Sequence, residues 1–108
     1  MQRIKDFIVI YASDCRRRHF HKQIKGEIRE FSLQLEIFHK GKWHGFIRYD
    51  TAHGFSHRDI VHVDGWVEKV ALGIADYNEA LTFAQIDIDT NWRLYRERFF
   101  KEVSNEKQ

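Results

Sequence analysis

Glycines recur through the middle of this chain at short, similar intervals, and this spacing constrains the fold more than any other feature. Gly26, Gly41, Gly54 and Gly65 separate segments that are rich in β-branched and aromatic residues. The chain contains no proline, so no residue in these segments lacks the backbone N–H that a sheet requires. Short strands with regular turn signals between them predict an antiparallel meander. The predicted strands cover residues 17–24, 28–38, 43–50, 57–63 and 66–72.

Alternation of apolar and polar residues predicts which face of each strand is buried. Apolar residues occupy every second position from Phe31 to Ile37. A three-residue loop of His39-Lys40-Gly41 would pair Ile37 with Trp43, whereas a two-residue turn would set Ile37 opposite His44 and mismatch the buried faces. We therefore predict the three-residue loop, which also pairs Leu33 with Ile47. Asp64-Gly65 predicts a two-residue type I′ turn.

The last third of the chain predicts one long amphipathic helix. Asp76 followed by Glu79 resembles a capping box, and the helix should end near Glu102. Residues 103–108 are expected to form a frayed tail. The apolar stripe recurs at spacings of three and four and comprises Tyr77, Leu81, Ala84, Ile88, Trp92, Tyr95 and Phe99. The predicted fold is α+β, a meander of about five strands covered on one face by this helix.

Composition indicates a single domain, residues 1–108, with enough apolar residues to form a core. Hydrophobic residues make up 43 % of the chain, and no apolar run approaches the length of a membrane span. Residues 1–14 fit either a helical stripe or a buried strand, and we predict a helical or irregular arm and no signal peptide. The single cysteine, Cys15, cannot form a disulfide within the chain and favours a reducing compartment.

The stretch from Arg48 to Asp64, RYDTAHGFSHRDIVHVD, holds the densest group of chemically capable side chains. It lies at one end of a predicted hairpin, where a rigid sheet presents side chains from a loop. Asp64 is assigned to a turn, and Tyr49, Val61 and Val63 are assigned to the core. The candidate catalytic residues are Arg48, Asp50, His53, His57, Arg58 and Asp59, with His62 at the margin.

The register of the fourth predicted strand, residues 57–63, leaves two groupings open. Matching Val61 to the core would put His57 and Asp59 on the helix side of the sheet, away from Arg48. Arg58 and His62 would then join Arg48 and Asp50 on the outer face. The other register joins His57 and Asp59 to Arg48 and Asp50 instead.

Three interpretations of this cluster are open. The first is general acid–base chemistry on RNA, with a histidine as proton shuttle, Arg48 or Arg58 holding the phosphate, and an aspartate orienting an imidazole. The second is a metal-dependent hydrolase. The spacing of the histidines and Asp59 matches no established metal motif, so we predict neither a metal site nor another cofactor. In the third, the charged residues pair with one another and only fix the loop.

Basic residues elsewhere suggest a different function. Arg16, Arg17 and Arg18 are consecutive, and the predicted helix carries further arginines, although the net charge of the chain is only +2. These patches fit a non-catalytic module that binds nucleic acid or a protein. Edge strands and the arginine-bearing helix also leave room for a homodimer.

Arg48-Tyr49-Asp50, Ala52-His53 and His57 together resemble the R-Y-D-x-A-H…H motif of a group of small prokaryotic proteins that are similar to TumE-like toxins of toxin–antitoxin modules. TumE-like proteins tend to read R-Y-D-N with paired downstream histidines, whereas this chain has Thr51 and His57-Arg58-Asp59. The resemblance implies a cytoplasmic sheet-plus-helix protein with Arg48, Asp50, His53 and His57 in the site. The leading hypothesis is therefore a toxin-like, metal-independent ribonuclease with RNA as substrate and a cognate antitoxin as partner.

Overall fold

The computed structural model describes residues 1–106 and shows a six-stranded antiparallel sheet followed by one long helix. The strands are hydrogen-bonded in chain order, so the predicted meander and the α+β class are confirmed. There are six strands rather than five. The elements are β1 (Gln2–Ala12), β2 (Cys15–Ile24), β3 (Glu27–His39), β4 (Lys42–Asp50), β5 (His57–Val61), β6 (Val67–Ala71) and α1 (Tyr77–Glu106).

The additional strand is the N-terminal segment, which we predicted to be a helical or irregular arm. That prediction is wrong: Gln2–Ala12 pairs along its length with β2, from Gln2 opposite Ile24 to Ala12 opposite Cys15. The β-branched run of FIVIYA outweighs the weak helical stripe once a neighbouring strand is available. β1 lies at the edge of the sheet and is mostly exposed.

The turn between β3 and β4 has two residues, Lys40 and Gly41, and not the predicted three. Both have positive φ, +50° and +81°, as a type I′ turn requires. This turn sets Ile37 opposite His44, which is the mismatch of buried faces that the predicted three-residue loop would have avoided. A β-bulge at Phe46 restores the buried face, because β4 gains one residue there and Ile47 then pairs with Leu35.

The connection from β5 to β6 is longer than the predicted Asp64-Gly65 turn. The His62 N–H donates to Trp66 O at 2.8 Å, which leaves a three-residue loop that contains Asp64. Gly65 has φ +95° whereas Asp64 does not have positive φ, so the turn is not type I′. Asp64 nevertheless has the predicted turn role, since its Oδ1 accepts a hydrogen bond from the Trp66 N–H.

Helix α1 begins where predicted and ends later. The side chain of Asp76 accepts a hydrogen bond from the Asn78 N–H at 2.8 Å, which caps the first turn. The helix continues to Glu106, so residues 103–106 of the expected frayed tail are helical; residues 107 and 108 lie outside the described part. Its buried side chains are Ala80, Leu81, Ala84, Ile88, Tyr95 and Phe99.

The sheet therefore has two different faces. Helix α1 packs mainly across β3, and the side chains beneath it form the core, which includes Leu33, Leu35, Ile47 and Tyr49. We call this the helix face and the opposite one the outer face. Tyr49 is fully buried, which confirms its core assignment; Val61 is only half-buried. Among residues 1–106, no helix has both the length and the hydrophobicity that membrane spanning needs.

Candidate active site

The pairing of β4 with β5 decides which candidate residues share a face. Asp50 lies opposite His57, and Arg48 lies opposite Asp59, so these four side chains are together on the outer face. The core contact of β5 is Ile60, which pairs with Ile47. The register deduced from the valines is therefore wrong, because Ile60 rather than Val61 points into the core.

His57 lies between two carboxylates. Its Nδ1 is 3.1 Å from Asp59 Oδ1, and its Nε2 is 2.7 Å from Asp50 Oδ1, although the second contact lacks hydrogen-bond geometry. The other oxygen of Asp59 is 3.3 Å from Lys69 Nζ. His57 is only 1 % exposed. An imidazole with carboxylates at both nitrogens is held in orientation, as is common for histidines that take part in proton transfer.

The connection between β4 and β5 covers His57 from the solvent side. The ring of His53 stacks on the His57 ring, with centroids 5.7 Å apart, and Phe55 contacts the same ring at 5.4 Å. Both covering side chains are exposed. Thr51 anchors this loop, because its Oγ1 accepts a hydrogen bond from the Phe31 N–H and its carbonyl accepts one from the Gly54 N–H. The arrangement gives one accessible histidine in contact with one buried histidine.

A groove runs along the outer face beside this pair of histidines. Its volume is about 370 Å³, and polar side chains of β1, β2, β3 and β4 line it. Arg18 and Arg48 supply positive charge, while Asp6 and Asp50 supply negative charge. Asp50 lines the groove and also contacts His57, so it connects the groove to the His57 cluster.

A relay of hydrogen bonds that we did not predict holds Arg48 in the groove. The Arg48 Nε donates to Gln34 Oε1 at 3.0 Å, and Gln34 Nε2 donates to Glu36 Oε2 at 2.7 Å. Arg16 completes the relay, with its Nε 2.8 Å from Glu36 Oε1. Gly45 makes room for it, because a Cβ there would lie 2.7 Å from Gln34 Cδ. The only sequence signal was Gly45 within an otherwise continuous strand.

Arg58, predicted to be catalytic, is on the helix face and away from the groove. It pairs with Tyr49, whose hydroxyl donates to Asp87 Oδ2 at 2.6 Å. Tyr95 donates to the same carboxylate, and burial, followed by this hydrogen bond, raises the pKa of Tyr95 to about 12. The buried Nε of Arg58 has no hydrogen-bond partner among the described residues. The structure thus separates Arg58 from the other five candidates.

The arginine triplet does not form one basic surface, because successive side chains of a strand point to opposite faces of the sheet. Arg17 is buried on the helix face, where its Nε is 3.4 Å from Asp89 Oδ1. Arg16 is held by Glu36, and its guanidinium lies 3.9 Å from the centre of the Trp43 ring. Arg18 is exposed and lines the groove.

The carboxylates around His57 are on opposite sides of the ring, so they cannot converge with it on one ion. Within residues 1–106, no group of three or more His, Cys, Asp or Glu side chains is arranged to hold a metal. His62, placed at the margin by sequence, lies apart from the groove, with its ring nitrogens 2.9 Å from Glu68 and from Glu102.

Comparison with known proteins identifies a family without identifying an activity. A family model described as "Domain of unknown function (DUF7718)" matches residues 1–105, so the chain belongs to this family. No curated protein and no solved structure matches this chain significantly.

Proposed function

We propose that this DUF7718-family protein is a toxin-like ribonuclease that cleaves RNA in the cytoplasm without a metal ion. The observation that carries the proposal is the His57 ring, which is held between Asp50 and Asp59 and stacked beneath an accessible His53, beside a groove containing two arginines. Paired arginines beside a histidine fit a phosphodiester whose cleavage requires proton transfer.

The proposed reaction uses the 2′-hydroxyl of RNA as the nucleophile. A base removes the 2′-hydroxyl proton, the 2′-oxygen attacks the neighbouring phosphorus, and the bond from phosphorus to the 5′-oxygen breaks. The products are a 2′,3′-cyclic phosphate and a 5′-hydroxyl group that receives a proton from an acid. No metal is needed, because one side chain can act first as base and then as acid.

His53 is the residue proposed to transfer these protons, since its ring is exposed and stacks on His57, which contacts the groove residue Asp50. His57 is a positioning residue, because it is buried and acts through its stack with His53. Asp50 and Asp59 hold the His57 ring. Arg48 and Arg18 would contact the phosphate and stabilise the charge that develops on its oxygens.

The resemblance to toxins of toxin–antitoxin modules supports a protein partner as well. We propose a cognate antitoxin that covers the groove and excludes RNA from it. Arg18 and Arg48 suit such an inhibitor if it presents acidic residues, because electrostatic complementarity speeds association.

The test is cleavage of a mixed-sequence RNA by the purified, untagged protein in the presence of EDTA. We expect cyclic-phosphate products, a loss of roughly 10²-fold or more in kcat/KM for His53→Ala, and a raised KM for Arg48→Ala. The matched control is Arg29→Ala, an exposed arginine that pairs with Glu27 outside the groove, which should retain wild-type activity.

Equal cleavage by wild type, His53→Ala and Arg48→Ala would contradict the proposal, as would no cleavage at all. Cleavage that appears only when a divalent metal is added would favour a metal-dependent hydrolase. Salt-sensitive RNA binding without cleavage would favour a non-catalytic binding module.

A further inference from the structure

The edge strand β1 carries apolar side chains on both of its faces. Ile4, Ile8 and Ile10 lie on the outer face and are 55 %, 48 % and 76 % exposed. Phe7, on the helix face, is 42 % exposed, and Val9 follows it on the same face. A near-continuous apolar run is typical of a strand with neighbours on both sides and with both faces covered. β1 has the sequence of a central strand in the position of an edge strand.

The two edges of the sheet differ in length and therefore in their capacity to pair. β1 has eleven residues, whereas the opposite edge strand, β6, has five. Natural sheets protect their edges by shortness, bulges, charges or a covering element. β1 has charges only in its first half, and its single irregularity is between Ile10 and Ala12. A long, apolar, regular edge of this kind is a pairing surface.

We propose that β1 pairs antiparallel with β1 of a second copy of this chain, so that the two sheets join into one of twelve strands. A second copy of the chain is the partner that suits this edge, because each copy has the same unpaired backbone groups along β1. One antiparallel contact would pair the edges of both copies. The two-fold axis of such a pair is perpendicular to the sheet, so both helices lie on the same side.

Symmetry and charge select the register of this pair. A two-fold axis at Phe7 pairs every residue of β1, from Gln2 opposite Ala12 to Phe7 opposite itself. Ile4 then lies opposite Ile10 of the second copy. Arg3 lies opposite Tyr11 of that copy, whose hydroxyl donates to the half-exposed carboxylate of Asp89. Each interface therefore gains two Arg3–Asp89 attractions between copies.

The test is the mass of the full chain in solution, measured by light scattering and sedimentation across a concentration series. We expect the wild type at twice the chain mass of 13.1 kDa. Ile10→Glu should raise the dimer dissociation constant by about tenfold or more, because the new carboxylate would face Ile4 and approach Asp6 of the second copy. The same substitution should not unfold the monomer, since Arg16 of its own chain lies opposite.

The matched control is Ile86→Glu, an exposed isoleucine on α1 that should leave the dimer intact. Arg3→Glu tests the charge arrangement without removing apolar surface, and it should weaken the dimer most at low salt. A wild type that is monomeric at every concentration would overturn the proposal. So would a dimer that tolerates both Ile10→Glu and Arg3→Glu, because another surface would then form it.

A disulfide tests the register independently, in a Cys15→Ala background. Phe7→Cys places two thiols at the two-fold axis, where directly opposed residues of antiparallel strands are within disulfide reach. It should crosslink the dimer on oxidation, whereas Ile8→Cys, which faces Asp6 of the second copy, should not. The reverse result would overturn the register centred on Phe7.

Discussion

His57 and His19 are both 1 % exposed, yet their surroundings are opposite in charge. His57 lies between the carboxylates of Asp50 and Asp59. His19 has the Arg17 guanidinium 2.8 Å from its Nδ1 and the His21 ring nitrogen 2.7 Å from its Nε2. Equal burial therefore does not imply an equal role, because the neighbours of the two rings differ in charge and in hydrogen-bonding capacity.

The neighbours of His19 determine its tautomer. Arginine only donates hydrogen bonds, so His19 Nδ1 must accept, and its Nε2–H then donates to His21 Nδ1. Burial and, after it, the positive charge of Arg17 lower the pKa of His19 to about 4. Phe7 stacks on the ring at 4.3 Å. His19 is thus a neutral structural histidine.

The neighbours of His57 are acceptors only. Carboxylates accept hydrogen bonds and cannot donate them, so the ring must act as the donor in any hydrogen bond with Asp50 or Asp59. Its Nδ1 has hydrogen-bond geometry to Asp59, whereas its Nε2 faces Asp50 at 2.7 Å without that geometry. Under the proposed function, the histidine between carboxylates positions the His53 ring stacked on it, while the histidine beside an arginine serves the fold.

The largest expected effect is the difference in activity between the two histidine variants. We expect His57→Gln to lower kcat/KM for RNA cleavage by roughly 10²-fold, since His53 loses its stacking partner and its position. His19→Gln should leave kcat/KM per folded molecule unchanged: although His19 borders the groove, its ring stacks on Phe7 on the helix face, and glutamine can still accept from Arg17 and donate to His21. Single-turnover cleavage, corrected for the folded fraction by circular dichroism, measures both. Equal losses would remove the distinction between the histidines.

The next effect is on stability. Here we expect the larger loss from a substitution beside His19 and the smaller loss from one beside the His57 cluster. Arg17→Met should lower the free energy of unfolding by about 2 to 3 kcal/mol, because it leaves His19 Nδ1 without its donor in a buried position. Lys69→Met removes the half-exposed cation beside Asp59 and should cost less than about 1 kcal/mol. Urea denaturation measures both, and a larger loss for Lys69→Met would contradict the structural role of the His19 cluster.

The pH dependence of stability separates His19 from other groups. Its pKa is lower in the folded chain than the ordinary 6.5, so the unfolded chain binds the proton more tightly. The stabilisation from His19 is present above pH 6.5 and is lost as pH falls towards 4. Each pKa unit corresponds to about 1.4 kcal/mol, so the fall from 6.5 to about 4 sets an upper limit of about 3.5 kcal/mol. We expect about 1 to 2 kcal/mol, because solvent reaches His21 beside it.

His19→Gln removes this titration and so provides the control. The variant should show a flatter loss of unfolding free energy than the wild type between pH 6.5 and 4. Parallel curves for the two proteins would show that another group dominates acid unfolding.

Much of the fold was predictable because it depends on local patterns. The apolar residues from Phe31 to Ile37 follow the two-residue period of a strand. The cap at Asp76 depends on a hydrogen bond to Asn78, only two residues away. The β4 bulge was not predictable, since Phe46 and Gly45 specify it only through pairing with β3. The β1 prediction failed for a related reason: residues 1–14 fit a helical stripe as well as a strand, and only pairing with β2 decides between them.

The candidate site was located more reliably than its members were assigned. The polar stretch does lie at the end of a hairpin, and five of its six candidates meet on the outer face. The face of Arg58 stayed open in the sequence, because a shift of one residue in strand register moves each side chain to the other face and the loop length does not fix that register. The structure places Arg58 opposite Tyr49 on the helix face. Gln34 and Arg18 were missed as groove residues because they lie on strands distant in sequence.

The smallest effect concerns His62, which also lies between two carboxylates but outside the groove. Its pKa is raised, first by the hydrogen bond to Glu68 and then by Glu102, so its stabilisation is present below pH 6.5 and is lost as pH rises through the raised value. His62→Gln should therefore cost less than about 1 kcal/mol, because the group is partly exposed, and should do so only at the acidic side. RNA cleavage should be unaffected, as measured beside His57→Gln. A loss of cleavage in His62→Gln would mean that two flanking carboxylates, and not position beside the groove, mark the active histidine.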